Sequence, residues 1–476
     1  MNIFCGAGQI GRKFVRLWMD CSLKADCFID NNSELWEKEV EGVCVKSFEE
    51  MAVQSEDSCY YITCVAVNSM RKQLISLGVK EEQIKDCSII SKMFGCAIQQ
   101  PGFHVKCTTA SPVWGNDFGK ILFDLQAGLV LGGVESWSAQ TCQYLKGLGW
   151  ETGFLLSDLP AKKGEEDTGS LGEEDLVSVK FQDNMSEYEK IVCLSNRIVE
   201  AGCRNIVVNF IGYNLAAACL VKRNYSDKIR VIAVVHNDED LYYECYKPFE
   251  NYIDKYLFIS ERIRNKMLQS GFPKNKLEYL PWAIACEEKL SHTYTVLGEP
   301  LRIGYAGRIQ VWQKRLDHII TIAKRLKEMR IDFRLELAGS GSYEEELKQQ
   351  IKENCLEDKI QFLGLLKPVD ISAFWKRQDI MVSCSDWEGH SISQGEAMAN
   401  GAVPIVTDVS GVTDDITDGK NGFIVDVGSV EQIIEKIVYL YNHRELLSVM
   451  GERAHQTILR NNNCKNLENQ WRNMLI

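Results

Sequence analysis

The sequence predicts an α/β protein built on parallel sheets, and three observations lead there. Short β-branched runs alternate with amphipathic helical stretches almost throughout, the pattern of repeated strand–helix–strand units. The chain has 476 residues, more than one hydrophobic core accommodates. Polar, Pro- and Gly-containing junctions divide it into three such blocks.

The first block runs over residues 1–100. Its opening strand, NIFC, leads into Gly6-Ala7-Gly8-Gln9-Ile10-Gly11 and a helical stretch, and ADCFIDNN then places Asp30 at the end of a second strand. That is G-x-G-x-x-G in strand–turn–helix context with an acid following, the arrangement that receives a nucleotide in Rossmann-type folds. Gly6, Gly8, Gly11 and Asp30 are therefore candidate ligands for a nucleotide or dinucleotide. The alternative is a module kept for packing or regulation. A segment with Pro101, Gly102, Pro112 and Gly115 reads as a linker.

The second block covers residues 118–295. It begins with the strand KILFDLQAG, followed by Gly132-Gly133 and a helix expected to start near Glu135. Glycines there permit close backbone approach to a phosphate or sugar, although such a pair is more often a simple turn. Asp158 to Glu174, rich in Gly, Glu, Asp and Lys, reads as a surface loop. The apolar stretch from Ile206 to Val221 is interrupted by Asn209 and Asn214 and is too short to cross a bilayer. The strand IRVIAVVHN delivers His236 to a strand's carboxyl end, where functional residues collect, the alternative being a satisfied loop histidine. Asp238-Glu239-Asp240 has the D-x-D form of a metal site, but acids at a helix start favour the dipole, and that is the preferred reading.

The third block covers residues 300–460. After the strand LRIGYAG come Arg308 and Lys314, which a parallel sheet would project into its crevice. A fork of donors and a point charge suit two phosphates; the alternative is two solvated basic residues at a loop and a helix start. The strand DIMVSCS leads through Glu388 and Gly389 into a helix holding Glu396. The amides freed at Ser391 to Ser393 can take a phosphate. One carboxylate can then reach a sugar and the other a ribose. Ser393-x-x-Glu396 is equally a capping box, in which the glutamate only satisfies the backbone. Residues 461–476 look helical and able to pack back on the second block.

Composition sets limits. The net charge is −12, which argues against nucleic acid as a partner. Eighteen cysteines occur without a C-x-x-C pair, so free thiols in a reducing cytosol are expected. The absence of a basic segment followed by an apolar run fits the same cytoplasmic expectation.

The runs GRIQVWQKRLDHI, LELAGSGSYEEEL, IQFLGLL and SDWEGHSISQGEAMANGAVPIVTD closely resemble the family-4 retaining glycosyltransferases over most of Leu301 to Ile458. The resemblance implies two Rossmann-like domains in the GT-B arrangement, here preceded by an extra Rossmann-like domain. It implies transfer of a sugar, with retention and without a metal, from a nucleotide sugar to a glycan or lipid-linked acceptor. Arg308 and Lys314 would bind the donor diphosphate, Glu388 the transferred sugar and Glu396 the ribose. The backbone of Gly389, His390, Ser391 and Ile392 would surround the phosphates, with Leu365 and Leu366 beside the base. GGVES resembles the family's glycine-rich loop, so Gly133 would touch the diphosphate and Glu135 the acceptor region. His236 would lie near the sugar. His390-Ser391 departs from the Phe-Gly of many members, which bears on local shape and sugar preference. The first block resembles the nucleotide-binding modules attached to some sugar acyltransferases and methyltransferases. Bacterial surface polysaccharide assembly at the inner membrane face is the implied setting, with Lys222, Arg223, Lys228 and Arg230 either touching anionic lipid or forming a solvated face. The competing readings are an epimerase or hydrolase of the same architecture, a non-catalytic accessory subunit, and a redox-linked or sensor protein.

Overall fold

The computed structural model describes residues 1–51, 57–105, 120–125, 133–157, 176–280, 282–461, 470–471 and 474–475. Most of the expected linker, Gly132 and the expected surface loop lie outside them. Among the described residues the strands form three sheets.

The first sheet holds β1 (Asn2–Cys5), β2 (Cys27–Ile29), β3 (Glu39–Val40), β4 (Val43–Lys46), β5 (Cys59–Ile62) and β6 (Ile84–Asp86), in the order β3-β4-β2-β1-β5-β6. Only β3 runs antiparallel. Helices α1 (Gln9–Asp20), α2 (Phe48–Met51), α3 (Val67–Ser76) and α4 (Ile90–Ile98) accompany it.

The second sheet holds β7 (Lys120–Asp124), β8 (Thr152–Ser157), β9 (Leu176–Val179), β10 (Cys203–Val208), β11 (Arg230–Val235), β12 (Lys255–Phe258) and β13 (Leu277–Tyr279). Its order is β13-β12-β11-β10-β7-β8-β9, parallel throughout. Strands such as RVIAVV are apolar along nearly their whole length because helices cover both faces of a parallel sheet. Those helices are α5 (Gly133–Gly147), α6 (Glu187–Glu200), α7 (Tyr213–Asn224), α8 (Asp240–Tyr246) and α9 (Glu261–Gln269).

The third sheet holds β14 (Leu301–Ala306), β15 (Phe333–Ala338), β16 (Ile360–Gly364), β17 (Ile380–Ser383), β18 (Val403–Thr407) and β19 (Phe423–Val425). It is also parallel, in the order β16-β15-β14-β17-β18-β19. Helices α10 (Leu316–Glu328), α11 (Glu344–Glu353), α12 (Pro368–Trp375), α13 (Ile392–Ala399), α14 (Val412–Asp415), α15 (Val430–Asn442) and α16 (Glu445–Asn461) complete it.

The blocks are packed on one another. Helix α4 seats the first sheet on the second. Its buried Lys92 pairs with Asp86 and, at 2.5 Å, with Glu244 of α8. Gly95 lies so near Pro248 that a Cβ would come within 2.6 Å of it. At the far end of the chain, the Trp471 ring sits 5.8 Å from Phe123 of β7, and the Met474 carbonyl accepts from Arg230 of β11 at 2.8 Å. The carboxyl-terminal segment thus reaches the second sheet.

Candidate active site

The third sheet supplies the charged wall. Strand β14 ends just before Arg308, and the turn after β15 lies tightly against the same loop. A Cβ on Gly339 would stand 1.9 Å from the Gly307 carbonyl, and one on Gly341 2.3 Å from the Ile309 carbonyl. The glycines of the Gly-Ser-Gly turn therefore serve close backbone packing that fixes the Arg308 loop. Arg308 donates to Gln313 Oε1 at 2.8 Å, and the same glutamine donates to the Trp387 carbonyl at 2.9 Å. Lys314 pairs with Glu388, whose Oε1 also accepts from Ser385 at 2.7 Å. Both cations are thereby aimed at the carboxyl edge of the sheet. Helix α10 starts at Leu316, two residues after Lys314.

Helix α13 begins at Ile392 and is capped by Ser391, which accepts from the Gln394 amide at 3.3 Å. The capping-box alternative for Ser393 and Glu396 is therefore corrected: Ser393 instead donates to the Ala306 carbonyl at 2.6 Å. Glu396, deeper in the helix, is released from capping. Burial pushes its carboxyl up to about 7, against the opposing pull of the Trp375 indole.

His390 is also used otherwise than expected. Its side chain is buried, with Nδ1 2.9 Å from the Ile259 carbonyl of the second block and Nε2 2.6 Å from Asp415. Of this residue only the backbone remains for a donor, because the ring joins two domains. Neighbouring bonds run along the same seam: Ser260 with Ser410 at 2.7 Å, the Glu261 amide with Asp414 at 3.0 Å, and Arg262 with Asp408 at 2.5 Å.

The second sheet supplies the facing wall. Helix α5 begins at Gly133, two residues before Glu135. A Cβ on Gly133 would lie 3.5 Å from Ile392 Cδ1, so the amino-terminal ends of α5 and α13 converge. Burial raises the Glu135 carboxyl, and the Arg308 charge acts on it in opposition from across the cleft. His236 follows β11. Its Nε2 lies 2.9 Å from Asn209 Oδ1, and its Nδ1 is buried without a partner among the described residues. Burial drives its pKa down to about 3, so the ring is neutral. Trp137 and Trp282 flank it at 5.3 and 5.7 Å between ring centroids.

Other expected sites fall differently. Asp238 and Asp240 both pair with Lys266, at 3.2 and 3.1 Å, with Asp240 in the first turn of α8. This is the helix-terminus arrangement. Three residues of the basic patch have partners within the chain. Lys222 holds Asp254 at 2.7 Å, Arg223 stacks 4.5 Å over Phe103, and Arg230 holds Met474. Leu365 is exposed and Leu366 partly buried just after β16, at the same sheet edge as Arg308. In the first block a Cβ on Gly11 would meet the Gly6 carbonyl at 1.9 Å, whereas Gly8 faces open space. Asp30 accepts the Ala7 amide at 2.7 Å and the Asn32 amide at 2.8 Å, so both its oxygens support the backbone. Of the three glycines there, Gly8 is the one at which a Cβ would meet open space, and its carbonyl accepts the Arg12 amide at 3.0 Å.

Asn209 bonds His236 and the Asp124 backbone, whereas the sequence shows Asn209 only as an interruption and Asp124 only as a strand residue. Asn209 donates to the Asp124 carbonyl at 2.8 Å and to Ser138 at 3.0 Å. An amide in an otherwise apolar, buried run was the available signal, since a buried polar group needs a partner. The sixteen described cysteines are free, and no described helix is long and apolar enough to cross a membrane.

Residues 288–457 match the family described as Glycosyl transferases group 1. The chain is 27% identical over 228 residues to the N-acetyl-alpha-D-glucosaminyl L-malate synthase of Bacillus anthracis, covering 48% of this chain and 54% of that protein. It is 25% identical over 174 residues to a poly(ribitol-phosphate) alpha-N-acetylglucosaminyltransferase of Staphylococcus aureus, covering 36% and 34%. The chain thus spans about half the length of the first of these and a third of the second. Among solved structures, Anabaena HepE in complex with UDP-glucose superimposes with a TM-score of 0.62 at 16% identity, covering 75% of this chain and 99% of that one. At that identity the likeness shows the GT-B fold.

Proposed function

With residues 288–457 belonging to the Glycosyl transferases group 1 family, we propose that this chain transfers a sugar from a nucleotide sugar to an acceptor hydroxyl, retaining its anomeric configuration. The observation that supports this reading is the approach of two helix amino-termini, at Gly133 and Ile392, with Arg308 acting on Glu135 of the one and the Lys314–Glu388 pair in the loops before α10 and α13.

Each group has work that this chemistry needs. Breaking the glycosidic bond leaves negative charge on the departing diphosphate. Arg308, Lys314 and the uncompensated amides from Gly389 to Ile392 neutralise that charge where it develops. Lys314 already holds Glu388, so the cation that meets the diphosphate also orients the carboxylate assigned to the sugar. Glu396, ionised, accepts the two ribose hydroxyls, and Leu365 and Leu366 stand beside the base. Gly133 offers backbone to the diphosphate, and Glu135 lies toward the acceptor. These cations and amides take the part a divalent metal plays elsewhere, so transfer proceeds without one.

The two named relatives are an N-acetyl-alpha-D-glucosaminyl L-malate synthase and an alpha-N-acetylglucosaminyltransferase, and HepE was solved with UDP-glucose, which supports a uridine-linked hexose or hexosamine as donor. A glycan or lipid-linked acceptor in polysaccharide assembly, at the cytoplasmic face of a membrane, completes the reading. The first block is proposed to take a nucleotide at its glycine turn, through backbone near Gly8, since Asp30 is occupied. A panel of nucleotide sugars, followed by thermal shift and by release of nucleoside diphosphate with and without acceptor, tests the whole reading. Stabilisation and acceptor-dependent release by one donor class is expected. If no nucleotide sugar either stabilises the chain or is consumed, the reading fails.

A further inference from the structure

We propose that Asn209 is a positioning residue that locks His236 in its Nε2–H tautomer, so that the site selects a transferred sugar presenting a hydrogen-bond donor to His236 Nδ1. This deepens the transferase reading and rests on it for the identity of the ligand.

The lock follows from one backbone atom. Asn209 Nδ2 lies 2.8 Å from the Asp124 carbonyl oxygen. A carbonyl only accepts, so the nitrogen end of the Asn209 amide must face it. The same NH2 also reaches Ser138 Oγ at 3.0 Å. The amide oxygen is thereby turned toward His236 Nε2, 2.9 Å away. That oxygen only accepts in its turn, so Nε2 must carry the hydrogen. Burial keeps the ring neutral, which leaves a bare lone pair on Nδ1.

That lone pair is buried and meets no donor among the described residues. A buried acceptor left in this state is costly, and a bound O–H or N–H relieves the cost. Asn209 is itself held in place. The Asp124 carboxyl accepts the Phe210 amide at 3.2 Å and the Asn214 amide, fixing the turn that follows β10. The polarity of the sugar pocket is thus set by residues that do not touch the sugar. The site takes a hydroxyl or amide N–H at that position and disfavours its deoxy analogue, whose C–H cannot donate.

Two measurements test this on the full chain. Nitrogen-15 spectra of histidine-labelled protein, with the His236 signal assigned by its loss in His236→Gln, should show the Nε2–H pattern in the unsubstituted protein. An Nδ1–H pattern or an averaged mixture would overturn the lock without touching the transferase reading. With whichever nucleotide sugar is consumed, one deoxy analogue should lose on the order of tenfold or more in kcat/KM. Asn209→Ala should shrink that discrimination severalfold, and Asn209→Ser, which keeps an acceptor, should recover part of it. If no deoxy analogue is disfavoured, or Asn209→Ala discriminates as well as the parent, the proposal fails. Should Asn209→Ala not fold, the Ser variant and the tautomer pattern carry the decision. If no nucleotide sugar is consumed at all, the transferase reading falls and the sugar half of this inference with it, while the tautomer measurement still decides the lock.

Discussion

Gly389 and His236 meet across the cleft so closely that a Cβ on the glycine would stand 1.7 Å from the histidine's carbonyl oxygen. The contact joins the loop that opens α13 to the loop that ends β11, so it sets the distance between the amino terminus of α13 and the His236 imidazole. Gly389→Ala must push these loops apart. A displacement of about 1 Å in a reacting geometry costs on the order of 100-fold in rate. Transfer should fall by that order in kcat and the melting temperature should drop as well, since overpacking against backbone costs about 1–3 kcal/mol, while circular dichroism still reports the folded chain. Unchanged kcat would show that the two loops separate during turnover anyway.

In the proposed transfer, Arg308 and Lys314 meet the same diphosphate, and their removal should have different consequences. Arg308→Ala removes a forked donor and should lower kcat on the order of 100- to 1000-fold. Lys314→Ala also frees Glu388 from its ion pair, leaving a buried carboxylate held by Ser385 alone. Its loss should therefore appear in both donor KM and kcat. Steady-state release of nucleoside diphosphate distinguishes the two. A chelator should leave the parent rate unchanged, and an EDTA-sensitive rate would show that a metal shares the charge.

The ribose contact proposed for Glu396 predicts pH-dependent donor binding. Burial holds its carboxyl near 7 in the free protein, whereas accepting two ribose hydroxyls requires the ionised form. Affinity should rise with pH through about 7 and reach a plateau above it. Below that value it should fall, by up to about tenfold per pH unit. Glu396→Gln should bind more weakly and lose this pH dependence. Calorimetric titration of a nucleotide sugar between pH 6 and 8 reads both effects, and a flat profile in the parent would show that Glu396 does not meet the ribose.

Much of this arrangement was legible in the sequence, because the informative features are local. Arg308, Lys314 and Glu388 stand in the strand-to-helix loops that follow β14 and β17, and a parallel sheet brings such loops to one edge whatever the tertiary detail. The D-x-D pattern was assigned to a helix start for the same kind of reason, and Lys266 answers both acids. What escaped are properties of contacts between distant segments. Whether Ser391 or Ser393 caps α13 depends on Ala306 accepting from Ser393, eighty-seven residues away in sequence. The basic residues around Lys222 looked free because Asp254, Phe103 and Met474, which engage them, come from three separate segments. Asn209 was visible only as an oddity in an apolar run, since its partner is the backbone of β7.

His390 shows what the departure from Phe-Gly does in this chain. Burial disfavours charge on its ring, but the Asp415 carboxylate, the Ile259 carbonyl and nearby Asp414 outweigh that, so its pKa is raised. A histidine whose folded pKa exceeds its unfolded value of about 6.5 stabilises the fold fully below that value. The contribution fades as pH rises through the raised folded value. His390→Phe should therefore lower the melting temperature more at pH 6 than at pH 8. The loss at pH 6 should correspond to about 3 kcal/mol, since the variant leaves Asp415 buried without its partner. The double variant His390→Phe with Asp415→Asn should recover part of it. Melting curves at the two pH values check the sign, and an equal loss at both would mean that His390 joins the domains as a neutral ring.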